Sequence, residues 1–242
     1  VYGAGAGNLL LATAGQVRRN VTVDITGGTT GGNVYGGGAI ANSNADASTN
    51  SSAYTTKVNL TGGLIKGDAY GGGEGTMDYD PNSSEQKANA AALVYGDVTV
   101  TLNGTAFELT TIKDDKGNII PTSGRVFGCN NINGSPKGTV LVRVQKTVGP
   151  TNEKPAKGSG IYELQAVYGG GNLAAYEPTN PLADGQFTSY TYGENTVAHD
   201  NIAKPVQVVI DGCGETSIEY VYGGGNAAAT PATDVTILGS YE

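Results

Sequence analysis

The run Val34-Tyr35-Gly36-Gly37-Gly38 returns as Ala69-Tyr70-Gly71-Gly72-Gly73, Val167-Tyr168-Gly169-Gly170-Gly171 and Val221-Tyr222-Gly223-Gly224-Gly225. Two looser copies, Val1-Tyr2-Gly3-Ala4-Gly5 and Val126-Phe127-Gly128-Cys129-Asn130, keep the aromatic residue and the first glycine. Self-similarity of this kind marks a repeat architecture, in which each unit buries its apolar face only against its neighbours. Asn172 and Asn226 follow the third glycine in two copies. Asparagine there tolerates a left-handed backbone or hydrogen-bonds its copy in the next unit.

A second block precedes the first and alternates apolar with polar residues before closing on glycine. It reads Val21-Thr22-Val23-Asp24-Ile25-Thr26-Gly27-Gly28, with relatives starting at Val58, Val98, Val140, Val206 and Val235. Period-two alternation of β-branched residues predicts a strand with one buried face. Val21, Val23 and Ile25 are expected inward, and Thr22, Asp24 and Thr26 outward. The unit is therefore a strand, a glycine corner, a short strand ending in an aromatic residue, and a glycine-rich bend. The glycines are read as allowing positive φ and sharp bends where no Cβ fits.

Aromatic-to-aromatic spacing from Tyr2 to Tyr222 runs 33, 35, 57, 41 and 54 residues. Propeller blades keep nearly constant length, whereas a solenoid carries loops of any length on a constant rung. The expected fold is all-β, a parallel β-solenoid of five to six irregular rungs with inserted loops. Rungs about 4.8 Å apart would stack Tyr35, Tyr70, Phe127, Tyr168 and Tyr222 into one interior ladder. The whole of residues 1–242 reads as one such domain.

Insertions fall at residues 41–53, 76–92, 149–160 and 177–201, all read as polar loops. Glu108 to Pro121 reads as a hairpin turning at Asp114-Asp115-Lys116-Gly117-Asn118. The sequence opens inside one block and stops after a first strand, without initiator Met or signal peptide. This predicts a piece of a longer repeat protein, or termini that pair with something.

Composition limits function. With 39 glycines, no tryptophan and a net charge of −8, the chain has no basic cluster beyond Arg18-Arg19. A phosphate backbone needs concentrated positive charge, so no nucleic-acid partner is expected. No apolar run approaches the roughly 20 residues of a spanning helix, so no direct membrane insertion is expected. A phosphate-cradling role for Tyr-Gly-Gly-Gly would need a following helix N-terminus and positive charge, and the sequence offers neither.

Candidate chemistry is sparse. His199 is the only histidine, set among polar residues, and reads as a solvated loop side chain. Structural zinc wants four Cys/His ligands, and three such residues exist, His199, Cys129 and Cys213. The two cysteines stand at glycine positions of the repeat, and free thiols are expected over a bridge. Asp78, Asp80, Asn82 and Glu85 space oxygen ligands like a calcium loop but lack the turn glycine and distal Glu of an EF-hand. They are weighed as calcium candidates, against a plain solvated acidic loop. No other cofactor is expected.

Polysaccharide-cleaving β-helices need a carboxylate pair about 5–10 Å apart, or carboxylates holding calcium beside a base. The matching outward positions are Asp24, Asn59, Thr101 and Arg143, which form no acidic cluster. Asp97 and Asp234 precede first strands several rungs apart. Asp68, Glu74 and Asp78 are close in sequence and could converge.

The Val-Tyr-Gly-Gly-Gly-Asn blocks, the Val-x-Val-x-Ile/Leu-x-Gly strands and the Asp-Asp-Lys-Gly-Asn hairpin resemble the glycine-rich, pectate-lyase-like repeats of secreted and surface bacterial proteins, which implies a right-handed parallel β-helix. The resemblance is to Bacteroidetes-type, adhesin-like proteins and covers nearly the whole chain. It implies an extracellular or outer-surface location, and as partners a glycan, a host or bacterial surface protein, or neighbouring repeats. No catalytic motif of the lyases or polygalacturonases carries over. The expected function is a non-catalytic module that displays loops and binds glycan or protein. The alternatives are a β-helix lyase or glycoside hydrolase, and a purely structural spacer.

Overall fold

A computed structural model describes residues 1–77, 89–150, 155, 159–179, 187–192, 195–200 and 205–239. The protein is all-β, with parallel sheets and one short 3-10 helix at Ala45–Ala47 among these residues. Long strands β1 (Val21–Thr30), β3 (Thr55–Ile65), β5 (Asp97–Phe107) and β9 (Val140–Val148) alternate with short ones, β2 (Val34–Tyr35), β4 (Ala69–Tyr70), β8 (Arg125–Phe127) and β10 (Leu164–Tyr168). The alternation ends with β13 (Val206–Ile210), β14 (Ile218–Tyr222) and β15 (Thr233–Ile237). Two antiparallel hairpins stand apart, β6 (Thr111–Lys113) with β7 (Ile119–Pro121), and β11 (Phe187–Tyr192) with β12 (Asn195–Asp200).

The long strands form one six-stranded parallel sheet in chain order, β1-β3-β5-β9-β13-β15. The short strands form a second parallel sheet in the same sequence, from β2 through β4, β8 and β10 to β14. Each repeat thus contributes one strand to each sheet and lies against the repeat before it. A third line of parallel bridges joins Ser43 to Val94 and Val94 to Pro136. This arrangement is compatible with a parallel β-helix.

Register follows the alternation in the sequence. Val23, Val58, Val100, Val142, Val208 and Val235 lie in one column. Ile25, Leu60, Leu102, Val144, Ile210 and Ile237 lie in the next inward one. The four central members of each column are buried, and packing of this kind contributes roughly 1.5–3 kcal/mol per side chain. Asp24, Asn59, Thr101 and Arg143 occupy the outward row between them.

Three expectations are corrected. The glycine pair closing a first strand is no corner, because β1, β3 and β5 run straight through it. Gly28 and Gly63, at φ of 76° and 79°, form a bulge that shifts the register, after which pairing resumes from Thr29 to Leu64. Secondly, the insertion at 177–201 contains the β11–β12 hairpin, in which His199 pairs with Thr188, instead of being loop throughout. Its mixed Thr, Ser, Tyr and Asn content gives no apolar alternation to read.

The third correction concerns the aromatic residues, which lie outside the main core. Val34, Ala69, Val126 and Val167 join the aliphatic interior, while Tyr35, Tyr70, Phe127 and Tyr168 form a second buried cluster. Adjacent residues of a strand face opposite ways, so each Val-Tyr pair divides between the two.

Candidate functional site

The aromatic cluster is a column built by strand register. Tyr35 aligns with Tyr70, Tyr70 with Phe127, Phe127 with Tyr168 and Tyr168 with Tyr222, while a lone bridge sets Tyr2 on Tyr35. Successive ring centroids are 4.9, 5.0, 4.8, 4.7 and 4.9 Å apart, with planes within 16° of parallel. Each contact adds about 0.5–1.5 kcal/mol beyond burial.

The glycines that follow make this spacing possible. None of Gly36, Gly71, Gly128 or Gly169 has positive φ, so conformation is not their reason. A Cβ on any of them would collide with the carbonyl oxygen of the equivalent residue one repeat on. Close approach, rather than a left-handed turn, fixes glycine here.

Hydroxyls along one rim of the column converge on Glu74. Its carboxylate accepts from Tyr2 at 2.5 Å and from Tyr35 at 3.2 Å. The Tyr35 oxygen also accepts from Asn33 and Asn131, both at 2.9 Å. Asn226 donates to Asn172, and Asn172 to Asn131, each at 2.9 Å, so an amide ladder runs along the same rim. Burial pushes the Tyr35 hydroxyl up to about 12, with Glu74 adding to the rise while Asn33 and Asn131 oppose it. Burial and the bond to Glu74 likewise raise Tyr2.

Asp68 is engaged differently. It accepts from the Arg125 amide at 2.9 Å, from both arms of its guanidinium and from the Tyr70 hydroxyl at 3.3 Å. Asp68 is buried and Arg125 partly so, and Arg125 also lies 5.4 Å from the centre of the Phe127 ring. Burial opposes the guanidinium charge, but the Asp68 hydrogen bond and charge leave Arg125 above its ordinary value. Burial drives Tyr70 far up, with the Asp68 charge adding to it.

A pocket of about 490 Å³ opens beside this rim, lined by Tyr2, Tyr35, Asn33, Glu74, the end of β1 and the bend at residues 31–32. Its chemistry is a tyrosine pair, a carboxylate held by two hydroxyls, an amide and backbone from the end of β1 and the bend after it. These groups suit a hydroxyl-rich ligand through hydrogen bonds and ring contact. Comparison with protein families, curated proteins and solved structures finds no match to this chain.

Asp68 and Glu74, close enough in sequence to converge, take different partners, while Asp78 lies outside the described residues. So do the calcium candidates Asp78, Asp80, Asn82 and Glu85. Among the described residues, no three His, Cys, Asp or Glu side chains are grouped to hold a metal. On the outward row, Asn59 donates to Asp24 at 2.8 Å and Arg143 pairs with Asp211. Asp97 accepts from the Thr139 amide at 2.7 Å, and two strands, β9 and β13, separate β5 from β15, which carries Asp234. Cys129 and Cys213 are free, the first buried and the second exposed. Burial raises the Cys129 thiol.

The link of Tyr2 and Tyr35 to Glu74 was not read from the sequence. A signal for it existed, since Glu74 follows the third glycine where Asn172 and Asn226 follow theirs.

Proposed function

We propose that this chain is a right-handed parallel β-helix module of a bacterial surface or secreted protein, non-catalytic, binding glycan through the Tyr2–Tyr35–Glu74 pocket. The observation that carries the reading is the aromatic column whose rim engages the nearby carboxylates. Glu74 is held by two tyrosine hydroxyls and Asp68 by Arg125, so both have structural work in the stack. The β-helix is supported by two chain-ordered parallel sheets, a third line of bridges and even ring spacing. The surface location rests on the resemblance of the glycine-rich repeats.

A panel of acidic and neutral polysaccharides, assayed for both binding and chain cleavage with and without calcium, tests the reading. Binding without cleavage is expected, weakened by Tyr2→Ala. Cleavage that disappears in Glu74→Gln or Asp68→Asn would establish the rival lyase or hydrolase reading, which the exposure of Glu74 to the pocket favours. Neither binding nor cleavage of any member would leave a structural spacer.

A further inference from the structure

The phenol oxygens of the aromatic column are not equivalent. Tyr35 donates to the Glu74 carboxylate at 3.2 Å and accepts from the Asn33 and Asn131 amides, both at 2.9 Å. A base takes a proton within about 2.6–3.2 Å, and Glu74 stands inside that reach. Tyr70 meets Asp68 at 3.3 Å, but that carboxylate already accepts from the Arg125 amide and guanidinium. Tyr168 donates to the Asn226 side-chain oxygen at 3.4 Å, an amide and so no base. Tyr2 shares the Glu74 carboxylate, at 2.5 Å. The Tyr35 ring lies between Tyr2 at 4.9 Å and Tyr70 at 5.0 Å, with planes within 13° of parallel. Tyr35 is 2% exposed, while Glu74 lines the open pocket.

We propose that Tyr35 is a redox-active tyrosine, oxidised by one electron by a peroxyl-type radical from solvent. Removing an electron from a phenol makes its proton strongly acidic, so oxidation is favoured where a base waits for that proton. Tyr35 gives its electron to the oxidant and its proton to Glu74, the phenol O–H bond breaking and a Glu74 O–H bond forming. The peroxyl radical becomes a peroxide anion and takes up the proton that Glu74 releases through the pocket, which leaves a hydroperoxide. One hydrogen atom has moved in total, and Tyr35 holds the unpaired electron as a neutral phenoxyl radical. Its buried oxygen still needs donors, and Asn33 and Asn131 already supply them. Rings stacked on both faces spread the electron deficiency, and burial keeps the radical from coupling with another. This inference rests on the hydrogen bonds of Tyr35 and does not depend on glycan binding.

Flash oxidation of the chain without glycan, with tris(bipyridyl)ruthenium and persulfate as the one-electron oxidant, tests it by electron paramagnetic resonance. A phenoxyl signal is expected that outlasts that of the urea-unfolded chain. Its formation is expected to slow in heavy water, because proton and electron leave together. Tyr35→Phe keeps the ring stack and is expected to lose the long-lived signal. Glu74→Gln keeps the side chain's size without its basicity, and is expected to lose both the rapid formation and the solvent isotope effect. Tyr70→Phe is expected to retain the signal, which separates this site from general damage to the column. Circular dichroism checks that all three variants are folded. A long-lived signal in Tyr35→Phe, or formation at the wild-type rate in Glu74→Gln, overturns the proposal. So does loss of the signal in folded Tyr70→Phe, or a wild-type signal that decays as fast as in the unfolded chain.

Discussion

Gly170 and Gly224 occupy the same place in the repeat, yet they meet different surroundings. A Cβ on Gly170 would lie 2.6 Å from the Gly225 nitrogen and 2.9 Å from its Cα, while one on Gly224 would find nothing closer than the Thr230 hydroxyl at 4.0 Å. The rings next to these glycines differ in the same way, Tyr168 being 8% exposed and Tyr222 42%. A residue in the middle of the stack is constrained from two sides, and its copy at the end from one. Repeat proteins derive their stability from such interfaces between neighbours, so an identical motif carries a different energy according to its place.

The largest contrast is expected in the rings themselves. Phe127→Ala removes a ring stacked on both faces, at 4.8 Å from Tyr70 and 4.7 Å from Tyr168. The void is closed in by backbone that the sheet holds in register, and the loss is expected at about 3–5 kcal/mol. Tyr222→Ala removes a ring stacked mainly on Tyr168 at 4.9 Å and is expected to cost about 1 kcal/mol or less. Denaturant titration followed by circular dichroism compares the two. Equal losses would mean that the repeats do not stabilise one another through the column.

Much of this middle was legible in the sequence. The columns through Val23 and Ile25 could be read from alternation because a strand has one period and a buried face selects one residue type. The Asp114 turn was legible for a similar reason, since Asp114 accepts from the Lys116 and Asn118 amides within its own loop. What escaped was decided between distant segments. Glu74 reaches its hydroxyls across 72 and 39 residues of chain, and no local pattern encodes that meeting. The role of the glycines escaped for the same reason. Gly36 and Gly28 look alike in sequence, but the first is fixed by the Gly71 carbonyl of the next repeat and the second by its own φ of 76°.

Alanine at the two equivalent glycines gives a medium-sized contrast. Neither Gly170 nor Gly224 is in the left-handed region, so backbone preference drops out and only space remains. Gly170→Ala drives a methyl group into the Gly225 backbone, which cannot move without breaking register, and is expected to cost about 1–3 kcal/mol. Gly224→Ala is expected to change stability by no more than about 0.5 kcal/mol. Thermal melts of the two variants side by side read the difference.

The smallest effect lies in the response to alkali. A tyrosine in the unfolded chain titrates near 10, whereas burial holds Tyr35 up to about 12 and keeps Tyr70 and Tyr168 raised as well. Between those values the folded chain binds more protons than the unfolded one, so stability falls as pH rises. The contribution is fully present below about pH 10 and is lost as pH climbs through about 12. Denaturant midpoints are therefore expected to be insensitive to tyrosine ionisation up to about pH 9 and to drop above 10. Tyr35→Phe is expected to lower stability at neutral pH, because Glu74, Asn33 and Asn131 lose a partner. It is also expected to flatten the alkaline decline, because one proton fewer separates the two states. A variant that is weaker at pH 7 but declines as steeply as the wild type would show that Tyr35 does not titrate as a buried member of the column.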